Sequence, residues 1–116
     1  MNLEVKYEPL QLIDVRAEAA ACEHPWFNQT LTQVNDSVVR LGVIEGEFHW
    51  HKHEVEDEFF LVVDGHLLID VEGGETIELL PGQGTTVPRG VVHRPRAPER
   101  TTIVMVEPAT VRPTGD

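Results

Sequence analysis

One cysteine, nine basic residues and no long apolar run are the scarcities that frame this sequence of 116 residues. The single thiol, Cys22, forbids a disulfide within the chain, so packing has to hold the fold. Cys22 ends an alanine-rich stretch, and no base or electropositive setting that would activate it is visible, which points to a structural thiol. Nine Lys and Arg stand against twenty Asp and Glu, a net charge of −11. Such a surface repels phosphate backbones and anionic headgroups, so neither nucleic acid nor a membrane is expected as a partner. No apolar stretch approaches the roughly 20 residues of a spanning helix, and the start lacks a basic, then apolar, leader. A cytoplasmic protein is the expectation.

What the chain does contain is 41% hydrophobic residues, enough for one core in one domain. Residues 1–13 read as an extended lead-in. Asp14 is a natural N-cap for a short helix over 15–22, and His24-Pro25 stops it, because a residue before proline is pushed out of the helical region. From residue 28 the apolar period changes to two. Strands are predicted up to the turn at Asn35-Asp36 and over 38–43, 47–53, 58–63, 66–71, 76–80, 85–87, 92–96 and 101–106. Between them lie Glu45-Gly46, Asp64-Gly65, Gly73-Gly74, Pro81-Gly82, Arg89-Gly90 and Ala97-Pro98, all turn-forming pairs. Many short strands with Gly and Pro punctuation predict an all-β sandwich or barrel with a short N-terminal helix. The division that follows is an N-terminal extension over 1–35, a barrel over 36–107 and a polar tail over 108–116 that wraps the surface or frays.

Six histidines are present, and three crowd into five residues, His49, His51 and His53. On a strand these three project to one face, with Phe48, Trp50 and Lys52 on the other. Side-by-side imidazoles leave polar nitrogens to satisfy once removed from water, and a divalent cation does that. Glu58 opens an otherwise apolar strand, where an unpaired carboxylate is costly. His93 follows the turn at Pro88 and Gly90 and re-enters a strand. His24 and His66 read as surface or hydrogen-bonded histidines.

These residues resemble both short motifs of the cupin superfamily. The first is Gly, five residues, His-x-His, three or four residues, Glu, six residues, Gly. Here His51-Lys52-His53 is followed by four residues, Glu58, six more and Gly65, while Gly46 precedes His51 by four residues rather than five. The second is Gly, five residues, Pro-x-Gly, two residues, His, three residues, Asn. The chain has Gly82, five residues, Pro88-Arg89-Gly90, two residues, His93, three residues, and Ala97 in place of Asn. The nearest likeness is to small single-domain cupins of the cupin-2, or phosphomannose-isomerase-like, group.

The resemblance implies a double-stranded β-helix, or jelly-roll barrel, and one divalent metal held by His51, His53, Glu58 and His93. It also implies a homodimer in which the N-terminal segment crosses over. His49 matches no ligand position and is expected deeper on the same face, as a partner of the ligands or as an interior hydrogen-bonded histidine. Asp57 falls on the face opposite Glu58, and alternation sends Arg94 and Arg96 away from the metal. No residue is assigned to an organic cofactor.

Iron, manganese, nickel, cobalt and zinc all suit three imidazoles and a carboxylate. Two coordination positions left free on an octahedral ion would take a small oxygen-rich substrate such as a diol, hydroxyketone or hydroxy acid. A metal-dependent dioxygenase or sugar isomerase is expected, with Phe48, Trp50 or Phe60 walling the pocket. The alternatives are a non-catalytic small-molecule or sugar-binding module, and a barrel whose metal is purely structural.

Overall fold

The structure, a computed structural model, describes residues 2–116. Asp14 caps α1 (Val15–Ala21) by accepting the Ala17 amide at 3.0 Å, and the helix ends one residue short of the predicted span, with Cys22 as its C-cap before His24-Pro25. β1 (Phe27–Val34) and β2 (Ser37–Glu47) form a hairpin through Asn35, whose φ of 53° is a conformation that asparagine tolerates. β3 (Glu58–Asp64), β4 (Leu67–Val71), β5 (Thr76–Leu79), β6 (Gly84–Val87) and β7 (His93–Pro108) follow, and every ladder between these strands is antiparallel. The fold is an all-β roll with one short helix, in the order β1-β2-β7-β3-β6, with β4 paired to the first half of β7 and β5 paired to β4.

Two predicted elements differ. The strands expected at 92–96 and 101–106 are one 16-residue strand, and no turn interrupts it at Ala97-Pro98. β7 pairs with β4 through 93–96 and lies between β2 and β3 through 102–106, so it joins the β4–β5 pair to the rest of the sheet. β2 slips register between Ile44 and Gly46, opposite Pro98, so the missing proline N–H deprives no ladder partner there.

The second difference is that no strand covers 47–53. Glu45-Gly46 forms an irregularity inside β2 rather than a turn, and Gly46, at φ +95°, takes the chain out of the ladder after Glu47. Residues 48–51 nevertheless stay beside β7. The Phe48 amide donates to the Pro95 carbonyl at 3.0 Å, and His51 and His93 exchange backbone bonds of 3.0 and 2.9 Å.

Packing makes two apolar clusters where composition suggested one. Phe60, Val62, Leu67, Ile69, Ile103 and Met105 fill the roll. Leu31, Leu41 and Val43 face outward beneath Ala19 of α1, with Ile13 and Phe27 at the margin. The hairpin is therefore buried on both faces. The lead-in runs along β1, with the Lys6 and Tyr7 amides donating to the Thr30 and Leu31 carbonyls, which covers a sheet edge. The tail folds back across the mouth of the roll, buries Val111, and donates the Asp116 amide to the Lys52 carbonyl at 3.1 Å.

Candidate metal centre

Three chain segments meet at the mouth of the roll. β3 begins at Glu58, and strand alternation turns Glu58, Phe60 and Val62 inward. Asp57 points the other way, exposed, and accepts the Arg89 amide at 2.9 Å. β7 begins at buried His93. The loop between β2 and β3 brings His51 and His53, pinned where the His53 carbonyl accepts the Gly90 amide at 2.8 Å.

The four side chains converge. Glu58 Oε1 lies 3.4 Å from His53 Nε2 and 3.5 Å from His93 Nε2. The His51 ring centroid is 4.5 Å from that of His93 and 5.3 Å from that of His53. His51, His53 and Glu58 each offer a ligand atom within 4.8 Å of the others, a grouping that could hold a metal ion.

Local backbone sets two of the imidazole tautomers. His51 Nδ1–H donates to the His49 carbonyl, and His93 Nδ1–H to the Val91 carbonyl, both at 3.0 Å and both two residues back. Each ring thereby keeps a lone pair on Nε2. His53 Nε2, His93 Nε2 and Glu58 Oε1 are buried and have no hydrogen-bond partner. Buried polar atoms without partners are rare because each forfeits its hydration. Three of them around one point fit a cation-sized ligand.

Electrostatics separate the groups. Burial brings the His51 pKa down to about 4, so this ring is neutral near pH 7. Burial also opposes charge on His53, but the Glu58 carboxylate beside it outweighs that and leaves its pKa raised. Burial alone would raise Glu58, yet the neighbouring imidazoles of His53 and His93, with Glu107 beside them, hold it well below the usual carboxylate range.

Glu107 and Arg40 were not singled out by the sequence. Arg40 Nη1 meets Glu107 Oε1 at 2.8 Å with both side chains buried and also donates to the Val111 carbonyl, while Nε donates to Thr30 Oγ1. Burial, then the charge of Glu58, push the Glu107 pKa upward. An arginine inside the run Val38-Val39-Arg40-Leu41 was the available signal. A second group, His53, Glu56 and Asp116, adjoins the first: His53 Nδ1 is 4.0 Å from Asp116 Oδ1, and Thr110 donates to Glu56 at 2.6 Å.

Other expectations meet mixed outcomes. His49 does not lie deeper than the cluster. It is exposed, and its Nε2 sits 2.6 Å from the Thr114 carbonyl. Trp50 is no pocket wall either, for it is 45% exposed with the Arg94 guanidinium over its ring at 4.9 Å. Phe48 and Phe60 do line the pocket. Arg94 and Arg96 turn away from the cluster as expected, and both hold Asp70. His66 is half-buried, 3.5 Å from Glu78.

Comparison with known proteins gives consistent matches. The family model Cupin_2, the cupin domain, matches residues 37–107. The chain is 44% identical over 80 residues to YdbB of Bacillus subtilis (strain 168), an uncharacterized protein; the match spans 69% of this chain and 71% of that one. A crystal structure of a cupin-2 domain containing protein from Shewanella frigidimarina NCIMB 400 superposes with a TM-score of 0.79 at 33% identity, covering 84% of this chain and 94% of the other. KdgF from a Halomonas species superposes with a TM-score of 0.60 at 25% identity, over 74% and 89% of the two chains.

Proposed function

The chain belongs to the cupin domain family, and from that membership we propose that it is a metal-dependent enzyme acting on a small oxygen-bearing substrate. His51, His53, Glu58 and His93 are the ligands of one divalent ion, drawn from iron, manganese, nickel, cobalt or zinc. The observation that carries this reading is the trio of buried, unpartnered atoms on His53, His93 and Glu58. A bound ion supplies Lewis acidity, which lowers the pKa of a coordinated hydroxyl and so serves a dioxygenase or an isomerase.

The protein's own residues prepare the site. The His49 and Val91 carbonyls orient two imidazoles, and Glu58 stays ionised among its histidine neighbours. Phe48 and Phe60 keep water from the inner side. The second reading, a binding module without turnover, is favoured by the apolar pocket beside the cluster, which offers no general acid or base beyond the ligands. Oxygen consumption or product formation across a substrate panel separates the two.

The test of the ligand set is elemental analysis of protein purified without an affinity tag. The wild type is expected to carry about one ion per chain, and His53→Ala to lose most of it while keeping a β-type circular dichroism spectrum. Full occupancy in folded His53→Ala would overturn the assignment.

The same reading includes a homodimer. Leu10 and Leu12 are almost wholly exposed on the lead-in, and Leu3 and Val5 are exposed beside them. A second copy would cover this arm. The acidic surface makes nucleic acid an unsuitable partner.

A further inference from the structure

The cavity beside the histidine cluster is almost free of polar side chains. Its volume is about 90 Å³, and its walls include Trp26, Ile44, Phe48, Phe60, Ile103 and Met105. Among the lining residues the polar side chains are Asn28, His51 and Glu58, and no Lys or Arg reaches it. Asn28 lies opposite Gly42 in the β1–β2 register, and Gly42 lies opposite Ile103 in the β2–β7 register. A side chain at Gly42 would start 2.8 Å from Ile103 Cγ1 and 3.2 Å from Met105 Cε, so glycine keeps this part of the cavity open. Asn28 Oδ1 is buried there and has no hydrogen-bond partner. A buried amide oxygen without a donor loses its hydration and gains nothing in exchange.

We propose that this cavity receives the body of the ligand and that the body is aromatic or branched hydrocarbon, carrying one N–H or O–H that donates to Asn28 Oδ1. The oxygen-bearing head faces His51 and Glu58, and for that head alone the proposal rests on the metal reading above. A free sugar fits poorly. It would bring several hydroxyls against phenylalanine, isoleucine and methionine, where each hydroxyl sheds water and finds no partner. A sugar phosphate fits worse, because no cation lines the wall to meet its charge. The cavity therefore separates the two enzyme classes left open by the ligand set, and selects the carbonyl or enol substrate with a hydrocarbon body over the sugar.

The experiment uses the full chain stripped of metal and three probes of similar bulk, followed by protein NMR shifts. Benzamide has an aryl body and N–H donors, acetophenone has the same body without a donor, and ribose has hydroxyls throughout. Benzamide should bind saturably and shift signals of Ile44, Ile103 and Met105. Acetophenone should bind about 3- to 10-fold more weakly, the worth of one hydrogen bond, and ribose should shift nothing. In Asn28→Leu the preference for benzamide should vanish while acetophenone binds as before. Gly42→Ala should weaken both aryl probes by crowding Ile103 and Met105.

Ribose binding at these signals would overturn the proposal. So would absence of benzamide binding, or a benzamide preference that survives Asn28→Leu. A zinc-loaded sample with benzohydroxamate, an aryl body with a chelating head, tests the head separately. It should bind at least about tenfold more tightly than benzamide, as a pair of metal–oxygen contacts adds to the same body. Loss of that gain alone would sink the metal reading and leave the hydrocarbon cavity standing.

Discussion

Glu107 shows how a residue can matter without advertising itself. It sits before Pro108 in a stretch that reads as the end of a strand, and Arg40 sits in an apolar run that alternation alone does not orient. Only the pairing of β2 with β7, with Arg40 opposite Met105 and Val38 opposite Glu107, turns both charges into the roll. The metal candidates were legible because their spacing is a motif, whereas the charges behind them depend on a long-range ladder. Arg40→Met removes the donor to Glu107, Thr30 Oγ1 and the Val111 carbonyl, and should cost about 1–3 kcal/mol in urea unfolding. Adding Glu107→Leu to that variant should recover part of the loss, and an unchanged midpoint in the single variant would show the pair to be idle.

His53 and His51 also differ in how protons compete with metal. Burial opposes charge on His53, but the adjacent Glu58 carboxylate outweighs it and leaves the pKa raised above 6.5, while that of His51 lies at about 4. Metal and proton claim the same His53 lone pair, so affinity should fall as pH drops through the raised pKa. Calorimetric titration with zinc from pH 8 to 6 should show a decline approaching about one log unit per pH unit. His51 adds nothing to the slope in that window, and a flat profile would contradict His53 as a ligand.

At the scale of elements, turn chemistry located most strand ends but misjudged two joints. Gly46 looked like a turn and is an irregularity within a strand, while Ala97-Pro98 looked like a break and is a bend within one. Local residue types record that the chain must deviate, and the partner strand decides whether it deviates by turning or by bending. The bend in β7 is braced outside the roll by Asp70 of β4, which takes Arg96 Nε at 2.8 Å and Arg94 Nη2 at 2.9 Å and accepts from Thr76 of β5 at 2.7 Å.

Arg96, then Thr76, hold the Asp70 carboxyl well below its ordinary 3.8. A depressed carboxylate stabilises the fold above its unfolded pKa and loses that contribution as pH falls through the folded one. Wild type should therefore exceed Asp70→Asn by about 1–2 kcal/mol at pH 7, with the difference fully present above about pH 4 and closing in stronger acid. A gap that widens on acidification would reverse the assignment of charge.

At the scale of the molecule, the sequence indicated the fold class and placed the helix, but not the path of the sheet or the return of the tail over the histidine loop. Those depend on which distant segments pair, and strand periodicity carries no such address. The exposed arm belongs to this scale too. Leu10, at a left-handed φ of 72° that leucine rarely adopts, is fully solvent-facing together with Leu12. Replacing both by aspartate should convert a two-chain mass into a one-chain mass in light scattering. A wild-type protein that already has the mass of one chain would remove the dimer.

The place of β7 among three partner strands also sets a timetable. This strand supplies His93 and stitches β2, β3 and β4 together, yet ribosomes make it after every other strand. A nascent chain therefore carries His51, His53 and Glu58 long before the strand that completes their cage, with the inner edges of β2 and β3 still unpaired. On the proposed ligand set, all four residues could hold an ion together only once β7 has been made and paired.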